Sequence, residues 1–102
     1  YHKILNASRI YDAAKNVVIV GNICESGDIL SRSGDQISRK ISEPLIGERL
    51  AFMDAGAYGF SMSSQYNFRP RPAEVLLNQG KSRLIRRRET FEDLMQCFED
   101  FD

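Results

Sequence analysis

The chain has 102 residues, with 14 Lys and Arg against 14 Asp and Glu, one His, and a formal net charge of zero. That balance gives no electrostatic case for nucleic acid or an anionic membrane as a partner, no apolar run approaches the ~20 residues of a membrane-spanning helix, and no charged-then-apolar leader opens the sequence. Two cysteines, far apart and without CxxC spacing, make neither a disulfide framework nor a zinc ribbon, and they predict a reducing, cytoplasmic setting.

A chain of this length is expected to form one domain that buries roughly 60 to 65% of the surface its unfolded form exposes. Its start at Tyr1-His2-Lys3, without an initiator Met, predicts an internal piece of a longer polypeptide. Ile4, Leu5 and Ile10 can pack under a short strand, and Asp12 to Asn16 reads as a turn. The β-branched run Val17-Val18-Ile19-Val20 then predicts a buried central strand, broken by Gly21 and Asn22. Cys24, Glu25, Ser26 and Asp28 follow within five positions, on a strand-exit loop of the kind that presents reactive groups from a rigid scaffold.

Farther on, Ser31 to Gln36 reads as a polar loop, and Ile37 to Ile41 alternates once between apolar and polar. Pro44 and Gly47 bracket a turn before a second strand within Arg49 to Ala55, with Leu50 and Phe52 on one face. It runs into Gly56-Ala57-Tyr58-Gly59, where the glycines are expected to permit a sharp bend that presents Tyr58. Ser61 to Asn67 predicts a loop or one short helical turn, and Arg69-Pro70-Arg71-Pro72 excludes helix interior and central strand. Ala73 to Arg87 reads as a hairpin about a Gly80 loop. From Thr90 the period changes: Phe91, Leu94, Met95, Phe98 and Phe101 form one helical stripe, with Thr90 and Asp93 resembling a capping box. Glu99, Asp100 and Asp102 oppose the dipole at the far end, so the last turn is expected to fray.

Each candidate has a plainer reading. Cys24 by itself is most often a small buried hydrophobe, although three polar positions and a glycine are poor company for one. Glu25 by itself is a solvated loop charge, Ser26 and Asp28 suit turn caps, and Tyr58 suits a packed aromatic at a strand end. Arg69, Arg71, Arg83, Arg86, Arg87 and Arg88 make a local basic excess. Strand alternation divides the last three between faces and no aromatics interleave them, so a solvated face or ion pairs to the acidic C-terminal helix is expected. Cys97 has no His or Cys at ligand spacing, and no metal is implied.

Cys24-Glu25-Ser26-Gly27-Asp28 resembles the CESGD motif of the diaminopimelate decarboxylases, members of the fold-type III pyridoxal-phosphate (PLP) decarboxylases that also act on ornithine and arginine. Gly56-Ala57-Tyr58-Gly59 is similar to a GAYG segment in the same order and spacing, and Tyr66-Asn67 matches the run after it. The resemblance implies that Cys24 crosses a dimer interface into the partner subunit's PLP site and helps protonate the species left when CO₂ departs. Thiols suit that task, since an ordinary pKa near ~8.5 can be tuned towards neutrality. Glu25 is implied to bind the amino group at the far end of the substrate, where a charge-assisted hydrogen bond contributes about 1.5 to 3 kcal/mol. Relatives acting on ornithine or arginine usually carry Asp there. Tyr58 is implied to lie against the cofactor phosphate and near the substrate. Ser26 is a site candidate by adjacency only, and Glu48 replaces a frequent Asp without functional weight.

The expected fold is mainly β: the C-terminal β-sandwich or barrel-like domain of the alanine racemase/ornithine decarboxylase type, with one C-terminal helix. Residues 1–102 would be that domain of a longer enzyme whose (β/α)₈ barrel holds PLP on a lysine absent from this chain, so the piece alone is expected to be inactive. As a homodimer the whole would convert meso-diaminopimelate to L-lysine and CO₂. A decarboxylase of another basic amino acid, or a non-catalytic β module with Cys24 buried, are the rival readings.

Overall fold

A computed structural model describes residues 2–10 and 13–99. The chain divides into two compact units, Tyr1–Ala55 and Gly56–Asp102. Strands dominate, and a helix lies near the C-terminus.

In the first unit, β1 (Ile4–Asn6) pairs antiparallel with β4 (Leu50–Phe52), placing Leu5 opposite Ala51. β2 (Ala14–Val17) pairs antiparallel with β3 (Arg39–Ser42), from Ala14 opposite Ser42 to Val17 opposite Arg39. β1 also packs against β3, which buries Ile4 and Ile41 together with Asn6 and Ser42. Asn6 ends its strand chemically. Its Oδ1 accepts the N–H groups of Ser8 (3.0 Å) and Arg9 (3.2 Å), an Asx turn that the pure β pattern cannot supply.

Glu48 ties this turn to the next. Its carboxylate accepts from Arg9 Nε, from Asn6 Nδ2 (2.8 Å) and from the Leu45 N–H (2.8 Å). Chiefly because of the Arg9 bond, then those from Leu45 and Asn6, its pKa falls from the usual 4.5 to about 2. Gly47, at φ +90, completes the turn closed by the Glu48 N–H on the Leu45 carbonyl (3.0 Å). Glu48 therefore has structural weight, which its place in the sequence does not reveal.

Two expectations are corrected here. The central strand is Ala14–Val17, so Ala14 to Asn16 is strand and not turn, and Asp12 lies outside the described residues. The apolar run beyond it is not buried within the chain: Val18 is 47% and Val20 60% exposed. Backbone partners decide this. β3 offers its ladder only as far as Val17, whereas Ile19 turns its backbone to the loop ahead and Val20 makes a single bridge to Ile29.

The second unit is built on a hairpin. β5 (Glu74–Asn78) pairs with β6 (Lys81–Arg86), with a bulge between Glu74 and Val75. Gln79 (φ +49) and Gly80 (φ +74) form its two-residue loop, both left-handed as a turn matching strand twist requires. Arg86 Nε donates to Glu74 Oε2 (2.6 Å) across the pair.

The C-terminal helix, Phe91–Met95, begins at a capping box: the Thr90 N–H donates to Asp93 Oδ2 (2.8 Å). Arg87 Nη2, just past β6, donates to Asp93 Oδ1 (2.8 Å), which holds the Asp93 carboxyl well below its usual range and delivers the expected ion pair to the helix. The helix is shorter than its apolar stripe. Leu94 is buried, while Phe91 and Phe98 meet Phe68 edge-on at centroid distances of 5.8 and 6.4 Å. Phe101, Asp100 and Asp102 lie outside the described residues.

Candidate functional site

In the first unit the segment from Gly21 to Asp28 is a closed loop. The Gly21 N–H donates to the Asp28 carbonyl (3.0 Å) at its neck, and the Asp28 N–H donates to the Glu25 carbonyl (3.1 Å) at its tip. Two tighter bonds compress it: Glu25 N–H to Ile23 O and Ile29 N–H to Gly27 O, both 2.8 Å. Cys24 and Glu25 are thereby carried at the tip, both exposed. The Glu25 carboxylate folds back and accepts the Gly27 N–H (2.9 Å), so a substrate ammonium would have to compete with, or share, that bond.

Two features of the loop's frame escape a reading of sequence. Asp28 packs its carboxylate over Gly21, where a β-carbon would stand 1.7 Å from Oδ2, so a larger residue there requires the Asp28 side chain to swing aside. Ser31, fully buried, braces the base from below. Its Oγ accepts the Ile19 N–H (2.9 Å) and donates to the Ile37 carbonyl (2.5 Å), while Arg39 Nε donates to the Ser31 carbonyl (2.8 Å). A serine in a polar, glycine-containing stretch looks like ordinary loop, and its role depends on partners up to twelve residues away.

In the second unit Tyr58 is 73% exposed. Ala57 (φ −66, ψ 124) and Tyr58 (φ 66, ψ −8) have the dihedrals of a type II turn, not a helix, across Gly56–Gly59. Here the expectation is corrected: the left-handed residue is Tyr58 itself, and the flanking glycines are not at positive φ. Such a conformation in a bulky residue costs about 1 to 3 kcal/mol and survives only where the surroundings hold it. The Met62 N–H on the Tyr58 carbonyl (3.1 Å) is one such restraint.

Cys24 and Glu25 belong to one unit and Tyr58 to the other. Neither the cavity of about 660 Å³ beside Lys3, Asn16 and Lys40 nor that of about 250 Å³ beside Phe60 and Arg71 is lined by any of the three. Their placement fits presentation to a group held elsewhere: an exposed phenol can donate to a phosphate oxygen, and an exposed thiol can give up a proton. Among the described residues no cluster of His, Cys, Asp or Glu could hold a metal, and no helix is long and apolar enough to cross a membrane.

Residues 1–56, which include Cys24 and Glu25, match the family model described as "Pyridoxal-dependent decarboxylase, C-terminal sheet domain". Over 97 residues the chain is 52% identical to a diaminopimelate decarboxylase of Methanothermobacter thermautotrophicus, covering 94% of this chain and 22% of that protein. A crystal structure of a diaminopimelate decarboxylase superposes with a TM-score of 0.84 at 42% identity, over 94% of this chain and 24% of the other. That of the M. jannaschii enzyme in complex with L-lysine gives 0.83 at 38% identity, over 98% and 22%. The chain thus spans less than a quarter of the length of these relatives, and the mainly β fold with one C-terminal helix is that of their sheet domain.

Proposed function

This chain belongs to the pyridoxal-dependent decarboxylase family, as its C-terminal sheet domain, and on that premise we propose that residues 1–102 are the C-terminal domain of a diaminopimelate decarboxylase. The reaction would be conversion of meso-2,6-diaminopimelate to L-lysine and CO₂, the last step of lysine biosynthesis, carried out in the cytoplasm by a homodimer. The observation that carries this reading is 52% identity along nearly the whole chain to an enzyme of that name, joined to an exposed Cys24-Glu25 pair on a braced loop.

PLP, when bound, would supply the electron sink that lets the bond to the departing carboxylate break. Tyr58 would help hold it, its O–H donating to the phosphate. Cys24 would act in the partner subunit's site. Its sulfur would hand a proton to the carbon from which the carboxylate departs, and the thiolate would take a proton back from solvent before the next turnover. Glu25 would set substrate choice by accepting hydrogen bonds from the distal ammonium, and it reaches one methylene farther than Asp would. Large exposed apolar side chains, among them Val20, Ile46, Leu77 and Phe98, support a domain that is covered by further protein.

Assay of the whole enzyme for ¹⁴CO₂ release from labelled meso-diaminopimelate, ornithine and arginine tests the assignment. Release from the first alone is expected; a preference for ornithine or arginine would replace it with the basic amino-acid reading.

A further inference from the structure

The residue after the Tyr58 turn is held in an unusual way. Two guanidinium groups stack over the Phe60 ring, with Arg71 Cζ 4.1 Å and Arg86 Cζ 4.2 Å from its centroid. Its carbonyl is also a point of convergence. It accepts the Ser63 N–H (3.0 Å), the Ser63 hydroxyl (2.5 Å) and Arg71 Nη2 (2.9 Å).

Arg71 makes several of these contacts. Besides reaching the Phe60 ring and carbonyl, its Nε donates to Ser63 Oγ (2.9 Å). Its own backbone is pinned: the Arg71 N–H donates to Glu89 Oε2 (2.8 Å) and its carbonyl accepts the Glu89 N–H (3.1 Å). Pro70 and Pro72 restrict the backbone on either side. One planar fork, on a stiff segment, thus grips the chain two and five residues after a tyrosine whose backbone is strained and whose side chain is exposed. Arg86, tied to Glu74 on the hairpin, also stacks over the ring.

We infer that Arg71 is the positioning residue for Tyr58: through Phe60 and Ser63 it holds the Gly56–Gly59 turn in the left-handed form that aims the phenol at its ligand. The inference rests on the reading of Tyr58 as a ligand of the cofactor phosphate. Lys at 71 would keep the charge but not the fork, and Gln would keep neither the charge nor the contact with the Phe60 ring.

The test is a double-mutant cycle on the PLP dissociation constant, measured by absorbance titration of the full-length enzyme for wild type, Y58F, R71Q, R71K, Y58F/R71Q and Y58F/R71K, with thermal melts confirming that each folds. Y58F is expected to raise the constant about tenfold or more, the cost of a hydrogen bond to a charged group. R71Q should raise it roughly three- to tenfold beside Tyr58, R71K by less, and R71Q by under about twofold in the Y58F background. Should R71Q fail to fold, R71K in the two backgrounds supplies the same comparison. An R71 effect that is equal in both backgrounds, or absent beside Tyr58, overturns the positioning role alone. Y58F binding PLP as tightly as wild type overturns the reading of Tyr58, and the positioning role with it.

Discussion

The Asp28 carboxylate covers the α-carbon of Gly21 so closely that an added β-carbon would stand 1.7 Å from Oδ2. This contact and the bond from the Gly21 N–H to the Asp28 carbonyl close the neck of the loop that carries Cys24 and Glu25. The final residue of the CESGD run thus acts on the loop's shape, whatever the chemistry at its tip.

Replacing Gly21 with Ala should destabilise the first unit by about 0.5 to 1.5 kcal/mol, the cost of pushing the Asp28 side chain off its rotamer. Adding D28A should recover most of that loss, because it removes the obstructing atoms. Urea midpoints of the two variants and the wild type check this; a double variant no better than G21A would mean that the clash is not the cause.

Cys24 is exposed, and so is Cys97. In a C97S form of this chain, a thiol reagent should therefore label Cys24 promptly without denaturant. Protection until unfolding would restore the reading of a buried structural cysteine. In the full-length enzyme, C24S should lower kcat by roughly 10²-fold or more, the scale of a lost proton donor.

Glu25 already accepts the Gly27 N–H across a short turn. Shortening it in E25D should lower kcat/KM for diaminopimelate by about tenfold, since the carboxylate would no longer reach both the loop and the ammonium. Relative activity towards ornithine should rise. Competition assays with the two substrates read this out, and an unchanged ratio would separate Glu25 from substrate choice.

Glu48 titrates at about 2 in the folded chain, against 4.5 ordinarily. Its folded pKa is depressed, so the stability it contributes is complete above about 4.5 and is lost as pH falls from there towards 2. Denaturation midpoints taken at pH 6, 4 and 3 should drop more steeply for the wild type than for E48Q. Parallel profiles would show that Arg9, Asn6 and Leu45 do not hold this carboxylate in solution.

Short-range chemistry was legible in the residues themselves. The hairpin about Gly80 and the helix start at Thr90 with Asp93 were readable because each is decided by atoms three or four positions apart, although the loop is Gln79-Gly80 alone and Asn78 and Lys81 pair in the strands. The break at Gly21 and Asn22, with polar residues after it, likewise foretold a loop bearing Cys24 and Glu25, while the exposure of Cys24 is a finding of the structure. The helix was overextended: its apolar stripe runs past Met95, but Phe98 joins Phe68 outside the helix.

The residues alone determined which side chains stand at the loop and turn, and which family carries them there. Tertiary structure decided where the strand lies, since Arg39–Ser42 pairs with Ala14–Val17 and leaves Val18 and Val20 exposed despite their β propensity. It also decided that Tyr58, not its glycines, takes the left-handed turn, and that Ser31, Glu48 and Arg71 act as braces. Each of these depends on a backbone group or ring brought close by folding from a distant part of the chain, and hydrophobic period and local propensity carry no record of such partners.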